Sequence, residues 1–384
     1  MNPKVDAIGG SLIREIAARK KPGSIDLGLG EPSLPPTIRY FYAAVNSVEK
    51  SGMRYTVNAG DLRLRELIAA HYAYPHAASA ENVCVTTGSQ EAVYVAIKTL
   101  MDPAKDEMLL VEPAFPAYKK MALLEGITVR TVSSPEETDF AFEPRRILDE
   151  ITDRTRLIVI CSPCNPTGRV ISAAAVREIA GALSVRGGDP IYVLHDEIYR
   201  EQTYVADAGY FAQVYPYTVV TNSLSKSNAL TGLRIGWTLA PKPLAAAIVK
   251  THAWVTSCAS TYAQRIAAQI FATAGALQEH AAWYGERSAS VVDILQHSGL
   301  RFIAPQGAFY ACIALERGRS SLQAAHELAD EEDVIAIPGI AFGASFESWL
   351  RLTWVVPLDE VREGIHRIAR RYAPEAGKAL FGAT

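Results

Sequence analysis

A lysine closes the run Ser223-Leu224-Ser225-Lys226, and eight residues later an arginine stands inside Gly232-Leu233-Arg234-Ile235-Gly236. Two hydroxyls and a guanidinium form a donor set for a phosphate dianion, which arginine meets with several N–H groups at once. A lysine held beside such a site is a natural Schiff-base nucleophile. Gly88-Ser89-Gln90 lies between an apolar strand-like run and the helical stretch Glu91–Leu100. Its N–H groups can therefore receive phosphate at a helix N-terminus. Asp196 ends another apolar run, where a carboxylate can pair with a protonated pyridine nitrogen. Asn165, in Asn165-Pro166-Thr167-Gly168, and Tyr199 can hydrogen-bond a phenolic oxygen, and Phe115 offers a flat face for stacking. Each residue has a plainer reading alone: surface lysine, tight turn, solvated strand-end acid, core aromatic. Together they supply what a pyridoxal phosphate ring needs.

These residues need a scaffold that gathers them. Apolar runs at Asn82–Thr86, Glu107–Val111, Arg156–Cys161, Ile191–Leu194 and Thr218–Thr221 alternate with amphipathic helical stretches. That alternation predicts an α/β fold, a mostly parallel sheet covered by helices on both faces. In such sheets ligands sit at the carboxyl ends of the strands, which is where the polar residues lie. Beyond about residue 280 the pattern becomes α+β. A long helix is expected over Leu277–His297 with Gly299 as its stop. Short strands are expected around Phe309–Ile313, Val334–Ile337 and Trp349–Trp354. A last helix from Leu358 places Val361, Ile365, Ile368 and Tyr372 on one face.

Composition narrows the partners. The 384 residues are 49% hydrophobic and 21% charged, and carry a formal net charge of −3 without blocks of like charge. No nucleic-acid or anionic-membrane partner is expected. No apolar run reaches the length of a membrane span. The first 21 residues contain no apolar core with a small-residue cleavage site, so no secretory signal is expected and the cytoplasm is the default location. Five cysteines are too scattered for a disulfide framework. The single pair Cys161 and Cys164 lacks partners at metal-binding spacing, so no metal is expected.

The ordered set resembles the class I/II aminotransferases, which are fold-type I pyridoxal-phosphate enzymes. It runs from Gly30-Glu31-Pro32 through Tyr55, Gly60-Asp61-Leu62-Arg63, Gly88-Ser89-Gln90-Glu91-Ala92 and Pro163-Cys164-Asn165-Pro166-Thr167-Gly168 to Asp196-Glu197-Ile198-Tyr199. It continues through Ser223-Leu224-Ser225-Lys226 and Arg234 to Gly307-Ala308-Phe309-Tyr310, Pro338-Gly339 and Arg351-Leu352-Thr353. Any one motif is weak, whereas the ordered set is highly specific. The resemblance implies a large cofactor-binding domain over 41–280 and a smaller α+β domain formed by 1–40 and 281–384. It implies that Lys226 forms the Schiff base and shuttles a proton, that Asp196 holds the pyridinium, and that Asn165 and Tyr199 sit at the phenolic oxygen. Ser89, Ser223, Ser225 and Arg234 would bind the phosphate, with backbone help from Gly88 and Gln90. Tyr55 would reach the phosphate of a neighbouring subunit in a homodimer with shared sites. Arg351, with Asn165 and the backbone at Gly30, would clamp a substrate α-carboxylate.

The implied activity is transfer of an amino group from an L-amino acid to a 2-oxo acid. A β-lyase or related elimination or cyclisation enzyme on the same scaffold is the alternative, because the cofactor chemistry is shared up to the carbanion. A cofactor-sensing regulator is remote, since the chain opens on the small-domain helix. A nicotinamide enzyme is disfavoured, as Gly28-Leu29-Gly30-Glu31-Pro32 lacks the third glycine and following helix of the dinucleotide fingerprint. The stretch Thr256–Gln264 offers no arginine for a distal carboxylate. Its small residues and Tyr262 suggest a neutral or aromatic side-chain pocket, although Arg14 remains available. His195 is expected on the face opposite Asp196, and His252, His280 and His297 in solvent.

Overall fold

The computed structural model describes residues 2–373, so positions 374–384 of the expected small domain lie outside the described residues. In chain order the strands are β1 (Ile25–Asp26), β2 (Val83–Thr86), β3 (Glu107–Glu112), β4 (Thr128–Ser133), β5 (Thr155–Cys161) and β6 (Tyr192–Asp196). There follow β7 (Thr218–Ser223), β8 (Gly236–Leu239), β9 (Phe302–Ile303), β10 (Tyr310–Ala314), β11 (Val334–Ile335), β12 (Ile337–Pro338) and β13 (Trp349–Thr353). A seven-stranded sheet has the order β2-β8-β7-β6-β5-β3-β4. Its strands run parallel except at β8, which is antiparallel to both β2 and β7.

The sheet is buried on both faces. Met108, Leu110, Val159 and Leu194 point into one core, while Leu109, Val111, Ile160 and Val193 point into another with the Ala173–Val185 helix. Alternate residues of continuous apolar strands thus serve opposite layers, as a parallel sheet requires. β12, β13, β10 and β9 form a second, antiparallel sheet, and β1 pairs in parallel with β11 through Ile25↔Val334 and Asp26↔Ile335.

Two expected elements divide. Val334–Ile337 becomes β11 and β12, each in a different sheet. The helix expected over Leu277–His297 is a single turn at Ala276–Gln278 followed by a helix at Ala281–Gln296. Leu277 is buried, whereas the Glu279 carboxylate accepts from the Thr37 and Tyr40 hydroxyls at 2.9 and 3.3 Å. The backbone is still helical at Glu279, departs at His280 with φ −104° and ψ 0°, and the helix restarts at Ala281. The last helix, Leu358–Tyr372, buries Val361, Ile365 and Ile368. Each such side chain contributes about 1.5–3 kcal/mol of burial. No helix among the described residues is long and apolar enough to cross a membrane, and no cluster of metal ligands occurs among them.

Candidate active site

The parallel strands β5, β6 and β7 all deliver their carboxyl ends to one edge. Cys161 is opposite Asp196, and Asp196 is opposite Thr221. Cross-strand neighbours on one face interact directly, and Thr221 Oγ1 donates to Asp196 Oδ1 at 3.0 Å. Tyr118 Oη, on the Ala117–Glu125 helix, donates to Asp196 Oδ2 at 2.6 Å. Burial pushes the Asp196 carboxyl above the ordinary aspartate range, and these two hydrogen bonds oppose the rise. His195 points to the other face, fully buried with its ring 5.5 Å from that of Phe211.

After β7 the chain makes one short helical turn, Leu224–Ser227, capped by Ser223 Oγ accepting from Ser225 N–H at 3.1 Å. This turn carries Lys226 away from the sheet, and its Nζ donates to Gly30 O at 2.6 Å. Burial and then the Arg351 guanidinium lower the Lys226 ammonium to about 8, against the opposing charge of Glu31. The chain then returns as β8 with Ser223 facing Gly236. Arg234 sits in that return in the left-handed region, φ 53°, and its Nη1 donates to Thr231 O at 2.9 Å.

Gly88, at φ 82°, precedes the Ser89–Leu100 helix as an N-cap without a side chain. A Cβ at Gly88 would lie 2.6 Å from Arg234 Nη2. A Cβ at Gly236 would lie 2.5 Å from the carbonyl carbon of Gly88 and 2.6 Å from Ser89 N. The helix N-terminus, the arginine and β8 therefore close on one another as only glycines permit.

Arg351, on β13, is only 2% exposed. Its Nη1 donates to Asn165 Oδ1 at 3.1 Å, Nη2 donates to Gly28 O, and Nε is buried without a partner. The guanidinium lies 4.5 Å from the Tyr310 ring centroid. Tyr199 and Tyr310 share a hydroxyl–hydroxyl bond of 2.7 Å, and burial raises both.

Most of the expected residues meet on one cavity of about 840 Å³. Gly30, Ser89, Gln90, Phe115, Asn165 and Asp196 line it. So do Tyr199, Ser225, Lys226, Arg234 and Arg351. Gly88 and Ser223 stand behind the lining, the first as the N-cap and the second as the cap of the lysine turn. Phe115 meets Tyr118 edge to face at 5.9 Å. Tyr55 lies elsewhere on the surface, 89% exposed. Tyr262 also lies off the cavity, its hydroxyl donating to Phe41 O at 3.4 Å. Of the histidines expected in solvent, His297 is exposed and His280 half-buried, but His252 is fully buried against Glu91. The helix carrying His252 packs on the Ser89–Leu100 helix and turns that residue inward.

The sequence reading gave no role to Tyr118, Thr221, Tyr310 or Glu91. Only the β6–β7 register, which places Thr221 beside Asp196, was within reach of a strand-pairing argument.

A family model described as aminotransferase class I and II matches residues 22–368. The chain is 31% identical over 382 residues to a probable N-acetyl-LL-diaminopimelate aminotransferase of Bacillus subtilis, covering 96% of this chain and 94% of that one. It is 31% identical over 372 residues to an aspartate aminotransferase of Pyrococcus horikoshii, covering 94% of each. The crystal structure of aspartate aminotransferase from Thermotoga maritima superposes with a TM-score of 0.89 at 27% identity, covering 97% of this chain and 99% of that chain.

Proposed function

The chain belongs to the class I and II aminotransferases, a pyridoxal-phosphate-dependent family, and from that premise we propose how its own residues perform amino transfer. The observation that carries the reading is the convergence of Lys226, Asp196, Asn165, Tyr199, Arg234 and Arg351 on one cavity. The donor set suits the cofactor. Arg234 closes on a glycine-only helix N-terminus, which suits a phosphate dianion. Asp196 is a buried acid held by two hydroxyls, which suits a cationic ring nitrogen. Tyr199, Asn165 and stacking by Phe115 complete the ring's surroundings.

When bound, pyridoxal phosphate supplies the electron-withdrawing ring that makes a substrate Cα–H acidic. Arg351 binds the α-carboxylate with its fork, and the unpartnered Nε shows donor capacity to spare. Asn165, bonded to that guanidinium, fixes its orientation. With the cofactor bound, Lys226 would anchor it and, once freed, would take the substrate's Cα proton and return it on the cofactor side of the amino nitrogen. An ammonium lowered to about 8 sheds its proton readily enough to act as a base. Asp196 keeps positive charge at the ring nitrogen, with Tyr118 and Thr221 fixing its two oxygens.

A cation remains at the side-chain end. Lys120 Nζ is occupied by the carbonyls of Ile8, Gly9 and Gly10, but the Arg14 guanidinium, also on the cavity, has no partner among the described residues. We read Arg14 as the counter-ion of an acidic substrate side chain, in keeping with the aspartate aminotransferases among its relatives. The protein acts as a homodimer. Exposed Ile38, Tyr42, Val45, Tyr55 and Trp254 supply the apolar surface for a second copy. We place it in the cytoplasm, where its five free cysteines would stay reduced.

Two tests are run on separate samples: a half-reaction without acceptor across a panel of L-amino acids, and borohydride trapping of the cofactor on the chain. Trapping maps to Lys226 and is lost in Lys226→Ala. The spectral change is stoichiometric with enzyme and stops after one turnover. Continuous pyruvate and ammonia release, or trapping that persists in the variant, sinks the reading.

A further inference from the structure

Behind the helix N-terminus lies a carboxylate that none of the roles above uses. Glu91, the third residue of the Ser89–Leu100 helix, folds back so that Oε2 accepts the Thr87 N–H at 2.5 Å. Its Oε1 accepts from Thr256 Oγ1 and lies 3.0 Å from His252 Nδ1. His252 sits in the last turn of the Lys242–Val255 helix, and Thr256 is the residue that caps it. One carboxylate therefore ties the turn before one helix to the end of another. The side chains of His252 and Glu91 are 0% and 9% exposed. Burial pushes the Glu91 carboxyl up, and the bonds from His252, Thr256 and Thr87 more than offset it, leaving it below the ordinary glutamate range.

The placement departs from ordinary capping. A glutamate at the third helical position commonly reaches back to the N-cap N–H while an N-cap side chain covers the first-turn N–H groups. In this helix the N-cap is Gly88, which has no side chain, and Glu91 reaches past it to Thr87. Gly88 N–H is already bound to Thr86 O at 2.9 Å, and Gly88 O receives Thr86 Oγ1 at 3.0 Å. The Thr87 N–H and both backbone groups of Gly88 thus have protein partners, while no capping side chain claims the N–H groups of Ser89 and Gln90. That division leaves an anion site open and its frame locked.

We propose that Glu91 is a positioning residue for the phosphate end of the cofactor, fixing the Thr87–Gly88 peptide so that the first-turn N–H groups stay presented to an anion. The proposal rests on the pyridoxal-phosphate reading of the site. A merely structural brace between two helices would affect all ligands of the cavity alike, whereas a phosphate-positioning group affects only ligands that carry phosphate.

The experiment compares dissociation constants for pyridoxal 5′-phosphate and pyridoxal in the cofactor-stripped full-length protein, read by tryptophan fluorescence. Glu91→Ala is expected to lose about ten- to a hundredfold of the preference for the phosphorylated form, the range of a lost charge-assisted hydrogen bond. Its affinity for pyridoxal should stay nearly that of the unaltered protein. Glu91→Gln keeps an oxygen for the Thr87 N–H and should retain most of the preference. Thr256→Val removes one donor to Glu91 without touching the phosphate helix and should lose a smaller share. If the unaltered protein shows no preference, the cofactor reading of the site falls. If it does and Glu91→Ala keeps the full preference, or weakens both ligands equally, the positioning role is overturned. Should Glu91→Ala fail to fold, Thr256→Val decides by the same criterion.

Discussion

In the proposed role Lys226 is a base and a nucleophile near neutrality, and its surroundings supply the means. Burial and the nearby Arg351 charge bring its ammonium to about 8, so the neutral amine is accessible. Only that form attacks a carbonyl. The rate of cofactor capture by stripped protein should rise about tenfold per pH unit below 8 and level off above it. Removing the Arg351 charge with Arg351→Gln takes away a lowering influence and should move the midpoint upward. Stopped-flow traces with a midpoint near 10 in the unaltered protein would contradict this. Asp196→Ala should fold yet lose catalysis by orders of magnitude, measured as single-turnover rate, because charge at the ring nitrogen loses its counter-ion. Arg14→Ala should raise KM for dicarboxylic donors about fivefold, the scale of one exposed ion pair, and leave neutral donors unchanged. At this scale the sequence was legible in which residues to gather: Lys226, Asp196, Asn165 and Arg351, singled out by type, line one cavity. It was silent where the role comes through another side chain. Tyr118 reaches Asp196 across 78 residues, and nothing in its neighbours announces that contact.

Among the elements, the return from β7 to β8 does most to place the chemistry. It holds Lys226 and Arg234 in one connection whose two ends are register partners, Ser223 and Gly236. Gly236→Ala would drive a methyl group into the Gly88–Ser89 backbone. Backbone cannot swing aside as a flexible side chain can, so the cofactor dissociation constant should rise at least about a hundredfold and thermal stability should fall. Unchanged cofactor affinity in that variant would show that the helix N-terminus is free to move. The parallel strands were readable because both faces of each are apolar over several residues. β8 was not: four residues flanked by a glycine-rich turn give too short a run, and its antiparallel course answers to its neighbours. β4, on the sheet edge with exposed Thr128 and Arg130, shows a half-wet pattern that reads as loop. At the break at residues 279–280 the Glu279 carboxylate likewise meets hydroxyls from residues 37 and 40 that no local pattern reveals.

For the whole molecule, the dimer reading has a sharp consequence. If Tyr55 serves the partner's site, mixing Tyr55→Ala chains with Lys226→Ala chains creates hybrids in which one site carries both lesions and the other neither. Activity should recover toward half the unaltered level per hybrid on mixing and refolding. A monomer by light scattering with full activity would end the proposal. The chain's overall organisation was visible as a change of pattern, but not the way its ends interlock. β2 is held in the main sheet through β8, and β1, just ahead of Gly28 and Gly30, pairs with β11 in a separate two-stranded sheet. During synthesis the first strands therefore leave the ribosome long before the segments that will hold them. β2 waits for residue 239 and β1 for residue 334, while the guanidinium that grips Gly28 O arrives with residue 351. Nascent chains stalled short of β11 should show protease-sensitive N-terminal segments whatever their cofactor supply, and the contact between Arg351 and Gly28 becomes possible only once most of the protein has been made.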